Sequence, residues 1–104
     1  MEKFINVAGI IGDAALLDQT AEECVELAHA CIKLARIIRQ ENPTPAAYED
    51  VVASIEEETA DVYICLEQLE VAELLTYAGI DSMITKKYDR LIERLGDKEK
   101  IKTN

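Results

Sequence analysis

The chain has 104 residues, of which 49% are hydrophobic and 31% are charged, and its formal net charge is −10. This balance is typical of one small globular domain and not of a disordered chain. The longest apolar runs are far shorter than the roughly 20 residues that a helix needs to cross a bilayer. The acidic charge argues against binding to nucleic acid, whose phosphates it would repel.

The three cysteines, Cys24, Cys31 and Cys65, are an odd number without the C-x-x-C spacing of metal and redox motifs. We interpret them as reduced side chains that act as small, buried hydrophobic groups. The first residues, which include Glu2 and Lys3, do not resemble a signal peptide. These features lead us to expect a cytoplasmic protein that neither enters a membrane nor binds nucleic acid.

The sequence predicts helices throughout, because it lacks the alternating β-branched pattern and the hairpin turns of strands. A short helix is expected from about Met1 to Ile11. A long helix follows from about Ala14 to Gln40. It stops at Asn42-Pro43-Thr44-Pro45, since the residue before a proline disfavours helical geometry.

A third helix is expected from about Pro45 to Leu75, because proline suits the first helical position. The last helix is expected to begin after Gly79, with Asp81 or Ser82 as its N-cap, and to end near Leu95-Gly96.

Apolar residues recur every three or four positions along the three long helices, which marks their core-facing sides. The predicted core positions are Cys24, Leu27, Cys31, Leu34 and Ile38 on the second helix, Val52, Ile55, Thr59, Val62, Leu66 and Leu69 on the third, and Ile84, Tyr88, Leu91 and Leu95 on the last. The sequence therefore predicts an all-α bundle of three to four helices. We expect one domain over residues 1–96 and a charged, flexible tail at 97–104. Because so small a core is thin and the long helices expose apolar edges, we expect the chain to oligomerise.

Two acidic motifs interrupt these apolar helices. Motif A is Glu22-Glu23-x-x-Glu26 on the second helix, and motif B is Glu57-Glu58-x-x-Asp61 on the third. Residues three and four apart lie on one side of a helix, so each motif gathers its carboxylates there. Neither motif has a lysine or arginine four residues later, and like charges at this spacing repel each other.

If the two helices pack antiparallel, four to five carboxylates converge, and such a group needs protons or a cation. Ligand sets made only of oxygen select the hard divalent ions Mg²⁺ and Mn²⁺ over zinc. A magnesium cluster beside a cleft binds phosphates and activates a water molecule. The two motifs therefore indicate a site for phosphate chemistry.

Two other interpretations of the motifs stay open. In the first, they are solvent-exposed charge on a non-catalytic helical module that serves oligomerisation or regulation. In the second, Glu26-x-x-His29 is half of the paired E-x-x-H signature of di-iron bundles. His29 is the only histidine in the chain, so the second half of that signature is missing.

Motifs A and B together resemble those of the all-α nucleoside triphosphate pyrophosphohydrolases, the MazG-like superfamily. The hallmark of that family is E-x-x-E followed, after a variable spacer, by E-x-x-D. Here Glu23-x-x-Glu26 and Glu58-x-x-Asp61 are separated by 31 residues. The segments LDQTAEECVELAHA and IEEETADVYICLEQL resemble the family's metal-binding helices, and KKYDRLIERL is similar to the closing helix of short, phage-type members. The resemblance covers about Leu17 to Leu95.

The resemblance implies a Mg²⁺-dependent enzyme, with Mn²⁺ as a substitute, that hydrolyses a nucleoside triphosphate to a monophosphate and pyrophosphate. The implied metal ligands are Glu23, Glu26, Glu58 and Asp61. Glu22 and Glu23 are the implied catalytic residues, Glu22 being either a further ligand or the group that positions the attacking water. Gln19 is expected beside the nucleotide. The resemblance also implies a homodimer or a homotetramer.

The last helix carries a basic stripe that includes Lys86, Lys87, Arg90 and Arg94. One interpretation is a solvated face whose cations pair with neighbouring acidic residues. In the other, Lys87 and Arg90 bind the polyphosphate of the substrate and offset its charge.

Overall fold

The computed structural model describes residues 5–41 and 48–99. Within these residues it contains four helices and no strand, which confirms the all-α prediction. The helices are α1 (Val7–Ile11), α2 (Asp13–Arg39), α3 (Tyr48–Val71) and α4 (Tyr77–Glu99). None of these described helices combines the length and the apolar character that crossing a bilayer requires. The expected break at residues 42–45 and the first four residues of the expected N-terminal helix lie outside the described residues.

A single residue, Gly12, separates α1 from α2. Its φ of 92° and ψ of 156° lie in a region that is essentially restricted to glycine. At the other end of α1, the side chain of Asn6 caps the helix, because its Oδ1 accepts a hydrogen bond of 3.1 Å from the Gly9 N–H. Both ends of this short helix are therefore set by local sequence.

The side chain of Gln68 fastens the start of α1 to α3. Its Oε1 accepts a hydrogen bond of 2.9 Å from the Val7 N–H, and its Nε2 donates one of 3.0 Å to the Ile5 carbonyl. Gln68 is buried, with 7% of its surface exposed. Because both ends of its amide have partners, this buried polar group avoids the penalty of an unpaired one.

The helices α2 and α3 pack against each other in antiparallel directions. Leu16, near the start of α2, lines the same pocket as Cys65, near the end of α3. Two turns further along α2, Glu23 lies beside Glu58 and Asp61, which precede Cys65 on α3. The antiparallel arrangement therefore brings motif A next to motif B.

The packed sides of both helices follow a repeat of four and three residues. On α2 the buried and partly buried positions of this repeat are Leu16, Thr20, Glu23, Leu27, Ala30, Leu34 and Ile37. On α3 they are Val51, Ile55, Glu58, Val62, Cys65 and Leu69. Glu23 and Glu58 thus occupy positions that a helix interface usually gives to apolar side chains.

The core predicted for α3 is confirmed, since all six positions are buried or partly buried. The core predicted for α2 is wrong at Cys24, Cys31 and Ile38, which are exposed. The side of α2 that packs on α3 is displaced from them by one residue, or about 100° around the helix. Of the three cysteines, only Cys65 is buried as expected.

The chain forms two compact units, Met1–Ala72 and Glu73–Asn104. The first unit contains α1, α2 and α3, and the second contains α4. The single domain expected over residues 1–96 stays a prediction. Of the expected tail at 97–104, the backbone of the first three residues belongs to α4, and the rest lies outside the described residues.

Helix α4 begins earlier than the sequence predicted. The Thr76 Oγ1 accepts a hydrogen bond of 3.0 Å from the Gly79 N–H, so Thr76 acts as the N-cap and Gly79 lies in the first turn. The prediction that Gly79 separates two helices, with Asp81 or Ser82 as the cap, is therefore wrong. The helix also runs through Gly96, where it was expected to end.

The apolar side of α4 is exposed and not buried as predicted. The exposed fractions are 45% for Ile84, 60% for Tyr88, 39% for Leu91 and 40% for Leu95. Among the described residues of the second unit, α4 is the one helix, so no other helix of that unit covers this side.

Replacing Gly12 with alanine should lower the free energy of unfolding by about 1–3 kcal/mol, because an L side chain at this φ and ψ is strained. No atom lies within 4 Å of the place that the new Cβ would take, so the cost arises from the backbone alone. Chemical denaturation followed by circular dichroism measures it. Gly96→Ala is the matched control, since Gly96 lies inside a helix with open space around it, and alanine there should be neutral or stabilising. Equal stability of Gly12→Ala and the wild type would contradict this account of the bend.

Candidate metal centre

Three carboxylates meet where α2 crosses motif B. Glu23 comes from α2, and Glu58 and Asp61 come from α3, where their spacing of three residues places them on one side of the helix. Each offers an oxygen atom, and these oxygens all lie within 4.8 Å of one another. All three side chains are partly buried. Because they share this small space, they could hold one cation together.

The electrostatics of the group are unfavourable without a cation. Burial raises the pKa of Glu58 above the usual value of a glutamate, and the negative charges of Asp61, Glu26, Glu23 and Glu57 raise it further. Each charged neighbour that shifts this carboxyl is acidic. A bound cation would therefore relieve the electrostatic repulsion at Glu58.

A hydrogen bond from Gln19 orients Glu23. The Gln19 Nε2 lies 2.8 Å from the Glu23 Oε1, one helical turn away on α2, and donates to it. Partners of this kind fix the direction of a metal-binding carboxylate in proteins. The structure thus places Gln19 on the acidic group itself, and its contact with a nucleotide stays a prediction.

Cys65 is buried, follows Asp61 by one helical turn on α3, and lines the same pocket as Glu23 and Asp61. Burial raises the pKa of Cys65, a side-chain hydrogen bond with Thr20 lowers it in part, and the charge of Glu23 raises it again. A thiol with a raised pKa stays protonated at neutral pH, so it is neither an active nucleophile nor a strong metal ligand. Cys65 acts here as a small buried side chain.

A pocket of about 200 Å³ opens beside the acidic group. It is lined by Glu23 and Asp61 together with Val7, Leu16, Gln19, Ile64, Cys65 and Gln68. Two carboxylates therefore face a space whose other walls are mostly apolar. Such a combination suits an organic group that lies next to a cation.

The remaining acidic residues of motif A lie at the edge of the centre. Glu22 and Glu26 are exposed, and neither belongs to the group of three oxygens found among the described residues. The charge of Glu26 nevertheless reaches Glu58 and contributes to its raised pKa. His29, which the di-iron interpretation requires as a ligand, is exposed and also lies outside the group.

Lys87 and Arg90 lie on α4, in the second unit, and are exposed. Together with Glu93 and Arg94 they line a depression along that helix. In the described part of the chain the one ion pair joins Arg39 to Glu41, so Lys87, Arg90 and Arg94 form none with the neighbouring described residues Asp89 and Glu93. The basic stripe is therefore a solvated face, as the first interpretation expects, but without ion pairs to Asp89 and Glu93. Its contact with a polyphosphate stays a prediction.

Sequence reasoning did not identify Thr20, Ile64, Cys65 and Gln68 as parts of the site. A usable signal was present, since Thr20 lies three residues before Glu23, and the others follow Asp61 by three, four and seven residues. These spacings place them on the same helix sides as the motif residues.

Comparison with known proteins finds no match to this chain among family models, curated proteins or solved structures.

The raised pKa of Glu58 predicts how the stability of the metal-free protein depends on pH. A carboxyl whose folded pKa exceeds its unfolded pKa favours folding at low pH, and this contribution is lost as pH rises through the folded pKa. In a chelating buffer at neutral pH, Glu58→Gln should therefore melt at a higher temperature than the wild type. The difference should shrink on acidification through the folded pKa.

Glu56→Gln is the control for this measurement, because Glu56 is an exposed glutamate of α3 outside the acidic group. Its melting temperature should follow that of the wild type at each pH. A Glu58→Gln protein that melts below the wild type at neutral pH would show that the carboxylate is not under electrostatic stress.

Proposed function

We propose that this protein is a Mg²⁺-dependent nucleoside triphosphate pyrophosphohydrolase of the MazG-like type, which produces a monophosphate and pyrophosphate. The observation that carries the proposal is the meeting of Glu23 from α2 with Glu58 and Asp61 from α3. These residues belong to the E-x-x-E and E-x-x-D motifs on which the resemblance rests. Surface charge alone does not account for two glutamates that occupy the packed sides of neighbouring helices.

The donor set fits a hard divalent cation. The three carboxylates offer only oxygen atoms, which suits Mg²⁺ and Mn²⁺ and disfavours zinc. Two oxygens that bind one Mg²⁺ at about 2.1 Å lie no more than about 4.2 Å apart. The observed limit of 4.8 Å leaves only a small side-chain adjustment. A cation would also remove the repulsion that raises the pKa of Glu58.

When bound, Mg²⁺ would neutralise phosphate oxygens and lower the pKa of a water ligand, which is the chemistry that hydrolysis of a phosphoanhydride needs. Glu23, Glu58 and Asp61 would hold the ion, with Glu26 completing the ligand set. Gln19 would keep Glu23 in its binding orientation through the 2.8 Å hydrogen bond.

The attacking water needs a carboxylate that is near the ion and open to solvent. Glu22 is exposed and directly precedes Glu23. It would either accept the proton of the water or serve as a further ligand. The reaction needs no covalent intermediate, and the protonated Cys65 thiol would not provide one.

The substrate would place one of its organic parts in the pocket beside the carboxylates. At about 200 Å³ the pocket is smaller than the roughly 300–1,000 Å³ of sites that enclose a whole drug-sized ligand. It therefore suits a sugar or a base and not an entire nucleotide. Lys87 and Arg90 would bind the polyphosphate, as exposed cations without an ion-pair partner in the described residues. The working form would be a homodimer or homotetramer.

A panel of canonical and deoxynucleoside triphosphates with millimolar Mg²⁺ tests the proposal, with monophosphate and pyrophosphate quantified separately. The wild type should release both products from at least one substrate. Glu58→Gln and Asp61→Asn should each lower kcat by about 10²–10³-fold, the loss typical of removing one electrostatic contact to a transition state.

Glu56→Gln is again the matched control and should retain the wild-type rate, because it changes an exposed α3 glutamate outside the group. Three results would contradict the proposal. These are no turnover of any triphosphate, release of orthophosphate without pyrophosphate, or equal activity of Glu58→Gln and Glu56→Gln.

A further inference from the structure

Helix α2 has a second apolar side, which we call its outer face. It is formed by Leu17, Ala21, Cys24, Ala28, Cys31, Ala35 and Ile38. Six of these side chains are exposed and Ala35 is partly buried. The outer face lies one residue, or about 100°, away from the side that packs on α3.

The exposure of large apolar groups on and beside the outer face is high. The exposed fractions are 48% for Leu17, 62% for Ile38, 52% for Val25 and 50% for Ile32. An apolar strip along a 27-residue helix is larger than the scattered apolar residues that a protein surface normally shows. Its spacing of four and three residues is the pattern that packs against another helix.

The charges of α2 define the direction of that other helix. Its first half contains only acidic charges, at Asp13, Asp18, Glu22, Glu23 and Glu26, and its second half only basic ones, at Lys33, Arg36 and Arg39. An antiparallel copy of α2 would bring each acidic half beside a basic half. A parallel copy would place like charges together. Helix α2 is therefore complementary to itself in one orientation.

We propose that the outer face of α2 pairs with the outer face of a second copy of this chain, antiparallel and around a two-fold axis. Of the registers that the repeat allows, the one that brings Asp18 beside Arg39 of the partner subunit places Ala28 opposite Cys31 of the partner subunit and Cys24 opposite Ala35 of the partner subunit. Small side chains then meet at the centre, so the helices approach closely.

The same register accounts for the residues that border the outer face. It places Val25 beside Ile32 of the partner subunit, so two exposed apolar side chains cover each other. It also places Asp18 beside Arg39 of the partner subunit. Arg39 already pairs with Glu41 of its own chain at 3.0 Å, and its exposed guanidinium has further donors for a second carboxylate. The apolar and the charged residues thus favour the same antiparallel register of the two helices.

Light scattering coupled to size-exclusion chromatography tests the pairing. The wild type should have the mass of a dimer, or of a larger assembly built from dimers, at micromolar concentration. Ile32→Asp should lower the mass to that of a smaller species, since it puts a charge into the apolar contact. Tyr63→Asp is the matched control, because Tyr63 is 68% exposed on α3, and should leave the mass unchanged. Circular dichroism verifies that both variants keep their helical content.

Disulfide trapping tests the register independently of folding defects. With Cys31→Ser, oxidation by copper phenanthroline should give no covalent dimer, because the two Cys24 residues are offset by about 16 Å along the paired helices. Adding Ala35→Cys should produce a covalent dimer through Cys24, since the two positions face each other. A covalent dimer from Cys31→Ser alone would show a parallel pair. A monomeric wild type, or no trapping in the double variant, would overturn the proposal.

Discussion

The antiparallel packing of α2 on α3 places two glutamates, Glu23 and Glu58, at positions that a helix interface normally gives to apolar side chains. Apolar side chains at the other positions of that interface offset the free-energy cost of placing two glutamates there. Leu16, Val51 and Leu69 are 1%, 2% and 6% exposed, and full burial of such side chains contributes about 1.5–3 kcal/mol each. The interface can therefore hold partly buried carboxylates that repel each other. The candidate site can therefore form because apolar burial elsewhere in the interface compensates for the repulsion between its carboxylates.

The surroundings of the two glutamates define what the site can do. Gln19 holds Glu23 in one orientation by a 2.8 Å hydrogen bond, and Cys65 closes the neighbouring pocket with a protonated thiol. Gln68 lines the same pocket and binds the backbone before and within α1. The short helix α1 thus forms part of the site wall, although it contributes no acidic residue.

Much of this arrangement could be predicted from the sequence. The spacing within motifs A and B placed Glu58 and Asp61 on one side of a helix, and antiparallel packing then brought Glu23 to them. Periodicity could not determine which side of α2 packs on α3, because the helix has two apolar sides that differ by one residue. Cys24 and Cys31 belong to one side and Glu23 to the other. An isolated acidic residue is rarely expected in a helix core, so the sequence analysis assigned the packed side of α2 to Cys24 and Cys31 and not to Glu23.

The start of α4 shows a second limit of sequence reasoning. Gly79 suggested a break between helices, yet the Thr76 hydroxyl accepts a hydrogen bond from its N–H and places it in the first turn. A glycine near a helix terminus is compatible with either role. The start of α4 is recognised only when Thr76, three residues before Gly79, is identified as the N-cap.

The central claim is that α2 and α3 jointly bind one divalent cation between Glu23, Glu58 and Asp61. Paramagnetic broadening of backbone amide resonances by substoichiometric Mn²⁺ tests it most directly, since broadening reports distance from the ion. The account predicts that broadening centres on both helices around these three residues and that excess Mg²⁺ reverses it. The Glu58→Gln variant should lose it. Broadening spread over all exposed acidic residues, or unchanged by Glu58→Gln, would contradict the claim.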